Sequence, residues 1–330
     1  VPAVFGVGFA EETLVNPTGT AVDYATGGTM PRTLVTEIRY PTVAGSGTGA
    51  PPARGDGPFP LIVFAHGYAV TPDNYDTLLD AWVRAGFVVV APLFPDENGR
   101  EVAALGGPDS YAGSRAENDL YEEPSDLAYL VNEISVQAAH PAPAGGSVLY
   151  HLVDPSRLVL AGQSDGADAV AALVYDSAYA GDLDSMAHQP RVVGVFSGAE
   201  MGPSSNYRVP APAPLLVVVQ SAADECNFPQ LSTQLYDNLG EGSGKWFLET
   251  LNSTHLGPYA TDSAAGQVVQ ATTVKLFDLA VGRKAPDPAA IVEVVLRSGV
   301  ARLTGGPTAP AIRPFYPQSQ AQVAAACALP

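Results

Sequence analysis

Six short apolar runs set the tightest limit on how this chain can fold. They are Leu61–Ala65, Phe87–Ala91, Arg157–Ala161, Val192–Phe196, Pro214–Val219 and Lys245–Glu249, and Gly or Pro stands beside most of them. A strand with one wet face would alternate apolar and polar residues. Val-rich runs without alternation suit strands covered on both faces, as in a parallel sheet. Helical patterns lie between the runs. Tyr75, Leu78, Leu79 and Trp82 fall on one helical face, after Thr71 as N-cap, Pro72 at the first helical position and Asp73 in the first turn. Leu127, Leu130, Val131 and Ile134 repeat that spacing, and further helices are predicted near 165–177, 229–239 and 263–281. Strand–helix–strand alternation of this kind implies an α/β, doubly wound sheet with right-handed crossovers. Thr33–Tyr40 alternates and reads as an antiparallel edge strand, while 41–59 and 95–124 read as loops. Residues 1–284 are expected to form one catalytic domain. A Pro/Ala-rich extension, 285–330, would pack on it around a strand at Val292–Leu296.

Charge and composition exclude other classes. The chain carries 34 acidic against 16 basic residues, a net charge of −18. That balance repels phosphate, so nucleic acid is not an expected partner. The apolar runs fall far short of the ~20 residues a spanning helix needs, so no transmembrane segment is expected. The opening Val1-Pro2-Ala3 reads as a processed N-terminus, which suggests a secreted protein. The scarcity of lysine suggests a GC-rich bacterial source, and a monomer is expected.

The third run ends in Gly162-Gln163-Ser164-Asp165-Gly166, at the junction of a predicted strand and a predicted helix. G-x-S-x-G in that context forms a sharp turn that lifts a serine hydroxyl above the sheet, the two glycines leaving room where strand and helix meet. A nucleophilic serine needs a base, and the base an orienting acid, in the chain order Ser, Asp or Glu, His. His255 lies in a loop just after the last predicted strand, whereas His188 sits in a polar connection and reads as a surface residue. Asp224 follows the Pro214–Val219 run at the strand end where sites form on open α/β sheets, with Glu225 as its competitor. Oxyanion donors are expected from the backbone N–H of Asp165, at a helix N-terminus, and of Tyr68, in the loop after Leu61–Ala65. Tyr68 and Gln163 are also expected to touch substrate, and His66 to brace the loop.

These motifs resemble the α/β-hydrolase superfamily. Phe64-Ala65-His66-Gly67-Tyr68, Gly162–Gly166, Asp224, His255 and the run from Glu117-Asn118-Asp119 to Pro124-Ser125-Asp126 are similar to bacterial secreted esterase/lipase proteins related to chlorophyllases, dienelactone hydrolases and platelet-activating-factor acetylhydrolases. The likeness spans about residues 30–282. It implies a serine carboxylic-ester hydrolase that works through an acyl-enzyme without a cofactor, on a neutral lipid-like, aryl or polyester substrate. An amidase or peptidase on the same triad, or a silent binding protein, would be the alternatives. Polyester hydrolases and cutinases are a more distant likeness. They carry Met after the nucleophile and Trp after the next strand, where this chain has Asp165 and the segment Phe196–Met201, which argues against aromatic polyesters.

Cys226 and Cys327 are the only cysteines. In an exported protein they would pair, closing a loop of about 100 residues worth up to ~4–5 kcal/mol. No His/Cys cluster has zinc spacing. Glu117, Asp119, Glu122, Glu123 and Asp126 could attract calcium but read as a solvated face. No segment is long enough for a large cap, so an open cleft is expected between loops 93–124 and 198–213, with Tyr68, Tyr111, Tyr121 and Tyr207 as aromatic candidates. Gly240–Lys245 only faintly echoes a phosphate loop.

Overall fold

The computed structural model describes residues 4–141, 147–198, 206–239, 244–282, 287–306 and 327. In chain order the strands are β1 (Gly6–Asp23), β2 (Gly28–Thr42), β3 (Gly47–Thr48), β4 (Phe59–Ala65), β5 (Val88–Leu93), β6 (Val153–Gln163), β7 (Val192–Phe196), β8 (Leu215–Ser221), β9 (Lys245–Thr250) and β10 (Ala301–Gly306). The helices are α1 (Asp76–Arg84), α2 (Gly99–Ala104), α3 (Tyr111–Ala116), α4 (Glu123–Ala139), α5 (Asp165–Tyr175), α6 (Ala180–Ser185), α7 (Pro229–Asn238), α8 (Gly257–Ala260), α9 (Ala264–Val281) and α10 (Pro288–Ser298). The strands form one sheet in the order β10-β9-β8-β7-β6-β4-β5-β2-β1-β3. From β5 through β9 neighbouring strands run parallel, while β2 and β1 on one side and β10 on the other are antiparallel.

The unbroken apolar runs have a direct physical cause. Leu61, Val63 and Ala65 of β4 feed the core under α4, α5 and α7. Ile62 and Phe64 feed a second core under α1, α9 and α10. Val88 and Val90 against Val89 and Ala91, and Leu158 and Leu160 against Val159 and Ala161, divide in the same way. These residues of the central strands therefore face an apolar layer on one side or the other, where a polar side chain would lose its solvation. In α1, Leu78, Leu79, Trp82 and Val83 are buried, each aliphatic one contributing roughly 1.5–3 kcal/mol. The Trp82 indole N–H also donates to Thr273 Oγ1 at 2.9 Å, joining α1 to α9.

Four expectations need correcting. The alternating strand Thr33–Tyr40 is not at an edge, because β1 covers its outer side along most of its length. The alternation of β1 is interrupted by an irregularity between Asn16 and Thr20 around Pro17. Val292–Leu296 is helical, inside α10: Asp287 caps the helix by accepting from the Ala289 N–H, Pro288 opens it, and Gly299 ends it in the left-handed region. These end signals outweigh the β-branched interior. Segment 95–124 is partly helical, holding α2, α3 and a short 3₁₀ turn at Glu117–Tyr121.

The fourth correction concerns the acidic run, in which Glu117 and Glu122 are exposed as expected but the other three are not a solvated face. Glu123 and Asp126 are fully buried, and Asp119 nearly so. Arg32 of β2, itself fully buried, donates from Nε to Asp126 at 2.6 Å and from both Nη atoms to Asp119 at 2.7 and 2.6 Å. Asn16 adds a 2.8 Å bond to Asp126. The run thus pins the start of α4 to the β1–β2 hairpin. No group of three or more His, Cys, Asp or Glu among the described residues is placed to hold a metal ion.

Candidate active site

The parallel strands reverse their order of addition between β4 and β6, so the carboxyl ends of these neighbours form the switch point where open α/β sheets place their sites. Ser164 sits there, between β6 and α5, with φ 55° and ψ −127°. A non-glycine residue in that region stores roughly 1–3 kcal/mol of strain. Its surroundings hold it there. The Ser164 N–H donates to Phe196 O at 2.9 Å, and its carbonyl accepts from Ala167 and Asp168 in the first turn of α5. A Cβ on Gly166 would lie 2.4 Å from the carbonyl oxygens of both Ala65 and His66, and one on Gly162 would lie 2.2 Å from Gly166 O. Only glycine at both positions lets helix and strands close around the turn. The Ser164 residue is 8% exposed at the top of the sheet.

His255 lies in the connection between β9 and α8. Its Nδ1 is 2.9 and 3.0 Å from the two carboxylate oxygens of Asp224. Asp224 is buried, and its carboxylate also accepts from the N–H groups of Cys226 and Asn227 at Oδ1 (3.0 and 2.8 Å) and from Gln220 Nε2 at Oδ2 (3.0 Å). Glu225, the competing acid, accepts from the His255 backbone N–H at 2.8 Å and so fixes the loop rather than the ring. Gln163 Nε2 lies 3.1 Å from His255 Nε2, which places the ring beside the residue preceding Ser164. His188, by contrast, precedes β7 and lies toward the opposite end of the sheet from this cluster.

The turn after β4 closes the other side. His66 is fully buried, and its Nε2 accepts from the Phe94 N–H at 3.0 Å. The proton therefore sits on Nδ1 and is donated to Gly67 O at 2.9 Å. Burial pushes this imidazole down to about 4, so it stays neutral and staples the ends of β4 and β5 together. A Cβ on Gly67 would meet Ser164 Cβ at 2.8 Å, so this turn passes directly against the serine. Asp165 is the first residue of α5, directly after Ser164.

Comparison with solved structures finds a ferulic acid esterase from Streptomyces cinnamoneus, 14% identical, with TM-score 0.57, covering 88% of this chain and 93% of that one. The fold is that of an α/β hydrolase. No protein-family model matches the sequence, and no curated protein matches it either.

Within this α/β-hydrolase scaffold two expected substrate contacts are corrected. Gln163 is 1% exposed and both ends of its amide are taken, Oε1 by the Tyr75 hydroxyl at 2.6 Å and Nε2 by His255. It faces the interior because it is the last residue of a strand covered on both faces. The Tyr68 hydroxyl donates to Gly113 O at 2.8 Å, and its ring packs with Ala69, Val102 and Ala116. The side chain therefore anchors α3 to the turn. Tyr111 and Tyr121 are exposed, and Tyr207 packs against the core. A cavity of about 610 Å³ lies on the far side of the Tyr68 anchor, with Tyr24, Asp96, Tyr111 and Arg115 among its walls, and includes neither Ser164 nor His255. Part of the expected cleft wall, 199–205, with Met201, lies outside the described residues, as does 240–243 of the phosphate-loop echo.

Sequence reasoning missed Tyr75, which holds Gln163, and the Gln220–Ser232 pair behind Asp224, in which Ser232 Oγ donates to Gln220 Oε1. No motif marks either. Cys226 and Cys327 form a disulfide, 101 residues apart in sequence, so the residue whose N–H holds Asp224 is also tied covalently to Cys327. No helix among the described residues is long and apolar enough to cross a membrane.

Proposed function

We propose that this chain is a secreted serine hydrolase of carboxylic esters, with Ser164 as nucleophile, His255 as general base and acid, and Asp224 as its orienting carboxylate. The observation that carries the reading is a strained Ser164 on the strand–helix turn and, beside its neighbour Gln163, a His255 ring held through Nδ1 by the buried Asp224 carboxylate. His255 Nε2 takes the Ser164 proton as Oγ attacks the ester carbonyl. The backbone N–H groups of Tyr68 and Asp165 receive the oxyanion, and His255 returns the proton to the leaving alcohol. Water then repeats the sequence on the acyl-enzyme. Asp224 keeps its charge throughout and stabilises the imidazolium. The esterase chemistry named for the structural neighbour supports this choice over an amidase. The disulfide supports an oxidising, extracellular setting. A net charge of −18 and Asp165 beside the nucleophile favour neutral over anionic esters.

A fluorophosphonate probe tests the core of the reading. It should label Ser164 in the folded protein and leave Ser164→Ala unlabelled. A folded parent that takes no label would overturn it. Matched ester and amide substrates, together with a chain-length panel and a polyester film, then define the substrate class, with faster turnover expected on esters.

A further inference from the structure

A buried chain of four groups links the turn after β4 to the proposed base. The Gly67 N–H donates to the Tyr75 hydroxyl at 3.1 Å, Tyr75 donates to Gln163 Oε1 at 2.6 Å, and Gln163 Nε2 meets His255 Nε2 at 3.1 Å. Tyr75 and Gln163 are closed off from solvent, and the Tyr75 ring is fixed edge-on to Phe64 at 4.8 Å. The direction of every bond follows from the first. A backbone N–H can only donate, so Tyr75 accepts from Gly67 and has one proton left, which points to Gln163. That proton selects the carbonyl end of the Gln163 amide and turns its NH₂ toward His255. A ring nitrogen facing an NH₂ must be an acceptor. The imidazole proton is then left on Nδ1, facing Asp224.

We propose that Tyr75 and Gln163 are a positioning pair which selects the Nδ1–H tautomer of His255 and couples the base to the Gly67–Tyr68 turn. This rests on the serine-hydrolase reading above and extends it, replacing the substrate contact expected for Gln163. The ring is thus set from two sides: Asp224 receives Nδ1–H, and the Gln163 amide faces the Nε2 lone pair until Ser164 engages it. Once His255 carries the serine proton, its Nε2–H faces an amide donor rather than an acceptor, so the pair disfavours a resting imidazolium. The ionisable groups around the ring are Asp224 on Nδ1, Glu225 on the backbone N–H, Tyr259 near Asp224 and Asp165 next to the serine. None of them contributes the neutral donor that Gln163 supplies at Nε2.

The test combines steady-state kinetics across pH with ¹⁵N spectra of the histidine rings, which read the tautomer without substrate. Gln163→Leu should lower kcat about 10–100-fold, the range expected for a lost buried hydrogen bond, with KM nearly unchanged. Tyr75→Phe should act in the same direction, and the double variant should be no worse than Gln163→Leu alone, as for two members of one network. Gln163→Glu places an acceptor at Nε2 and should move the acid limb of kcat/KM up by at least one pH unit. In the parent, ¹⁵N spectra should show His255 protonated at Nδ1, with Nε2–H gaining population in Tyr75→Phe. A rise in KM with kcat unchanged, additive losses, or an unmoved acid limb would each overturn the proposal. Should Gln163→Leu fail to fold, Gln163→Glu and Tyr75→Phe carry the test. Labelling of the parent at Ser164 separates the two levels: a labelled parent with an unmoved acid limb refutes the pair alone, whereas an unlabelled one refutes the reading beneath it.

Discussion

Replacing Asp224 by Asn keeps the shape of the side chain and changes what it can accept. The carboxylate receives three donors at Oδ1, from Cys226 N–H, Asn227 N–H and His255 Nδ1, and at Oδ2 it receives Gln220 Nε2 as well as the same ring nitrogen. An amide NH₂ at the Oδ1 position would face two backbone N–H groups that cannot turn away. It must therefore lie at the Oδ2 position, where it meets Gln220 and the ring. Gln220 cannot offer its carbonyl there without setting that oxygen against Ser221 O, which accepts from its NH₂ at 3.1 Å. The ring is the group that yields: Nδ1 becomes an acceptor and the proton moves to Nε2, where it opposes the Gln163 NH₂ and leaves no lone pair for Ser164. A wrong tautomer in a triad of this kind costs ~10⁴-fold in kcat, about 5.5 kcal/mol of barrier. Release of a p-nitrophenyl ester measures the loss, and a thermal melt shows that the variant is folded. The parallel variant Glu225→Gln still accepts the His255 N–H and should lose no more than about tenfold, the size of one net hydrogen bond. A folded Asp224→Asn within tenfold of the parent would refute the reasoning, as would a Glu225→Gln loss of comparable size.

Three further outcomes follow from other parts of the fold. Arg32→Leu strands two carboxylates in the interior and should cost about 3–5 kcal/mol in urea unfolding at neutral pH; a loss below 1 kcal/mol would contradict the buried-cluster account. Reduction of Cys226–Cys327 should lower stability by up to ~4–5 kcal/mol, seen as a reductant-dependent drop in melting temperature, and unchanged melts would show that the bridge constrains little. Burial holds the folded His66 imidazole at about 4, below the ~6.5 of an unfolded histidine, so between these values only the unfolded state gains a proton. The His66 contribution is whole above ~6.5 and shrinks by roughly 3 kcal/mol by pH 4. His66→Gln should remove that slope from the stability profile relative to the parent, and parallel profiles would contradict it.

The parts of the molecule legible in the sequence are those whose environment is the same on every side. Leu61–Ala65 and Val88–Ala91 lie between two apolar layers, so the sequence itself records the double burial. The turn at Gly162–Gly166 is legible because steric contact allows only glycine at its ends. Features that depend on a distant partner were hidden. Glu123 and Asp126 look like surface residues until Arg32, 94 positions before Asp126, is set against them. Gln163 looks like a substrate contact until Tyr75, 88 positions earlier, takes its carbonyl. Val292–Leu296 is a different case. Its β-branched composition favours a strand, while the cap at Asp287, the proline after it and Gly299 mark the ends of a helix.

The bridge between Cys226 and Cys327 also imposes an order in time. A ribosome delivers Asp224 and its holding amides about a hundred residues before the second sulfur, so the acid loop emerges without its tether. Whatever pairing Asp224 and His255 achieve in that interval rests on hydrogen bonds alone. The covalent brace arrives only with late-made chain, and only where an oxidant is present. Assembly of the proposed catalytic centre would then be coupled to the compartment in which the chain finishes folding.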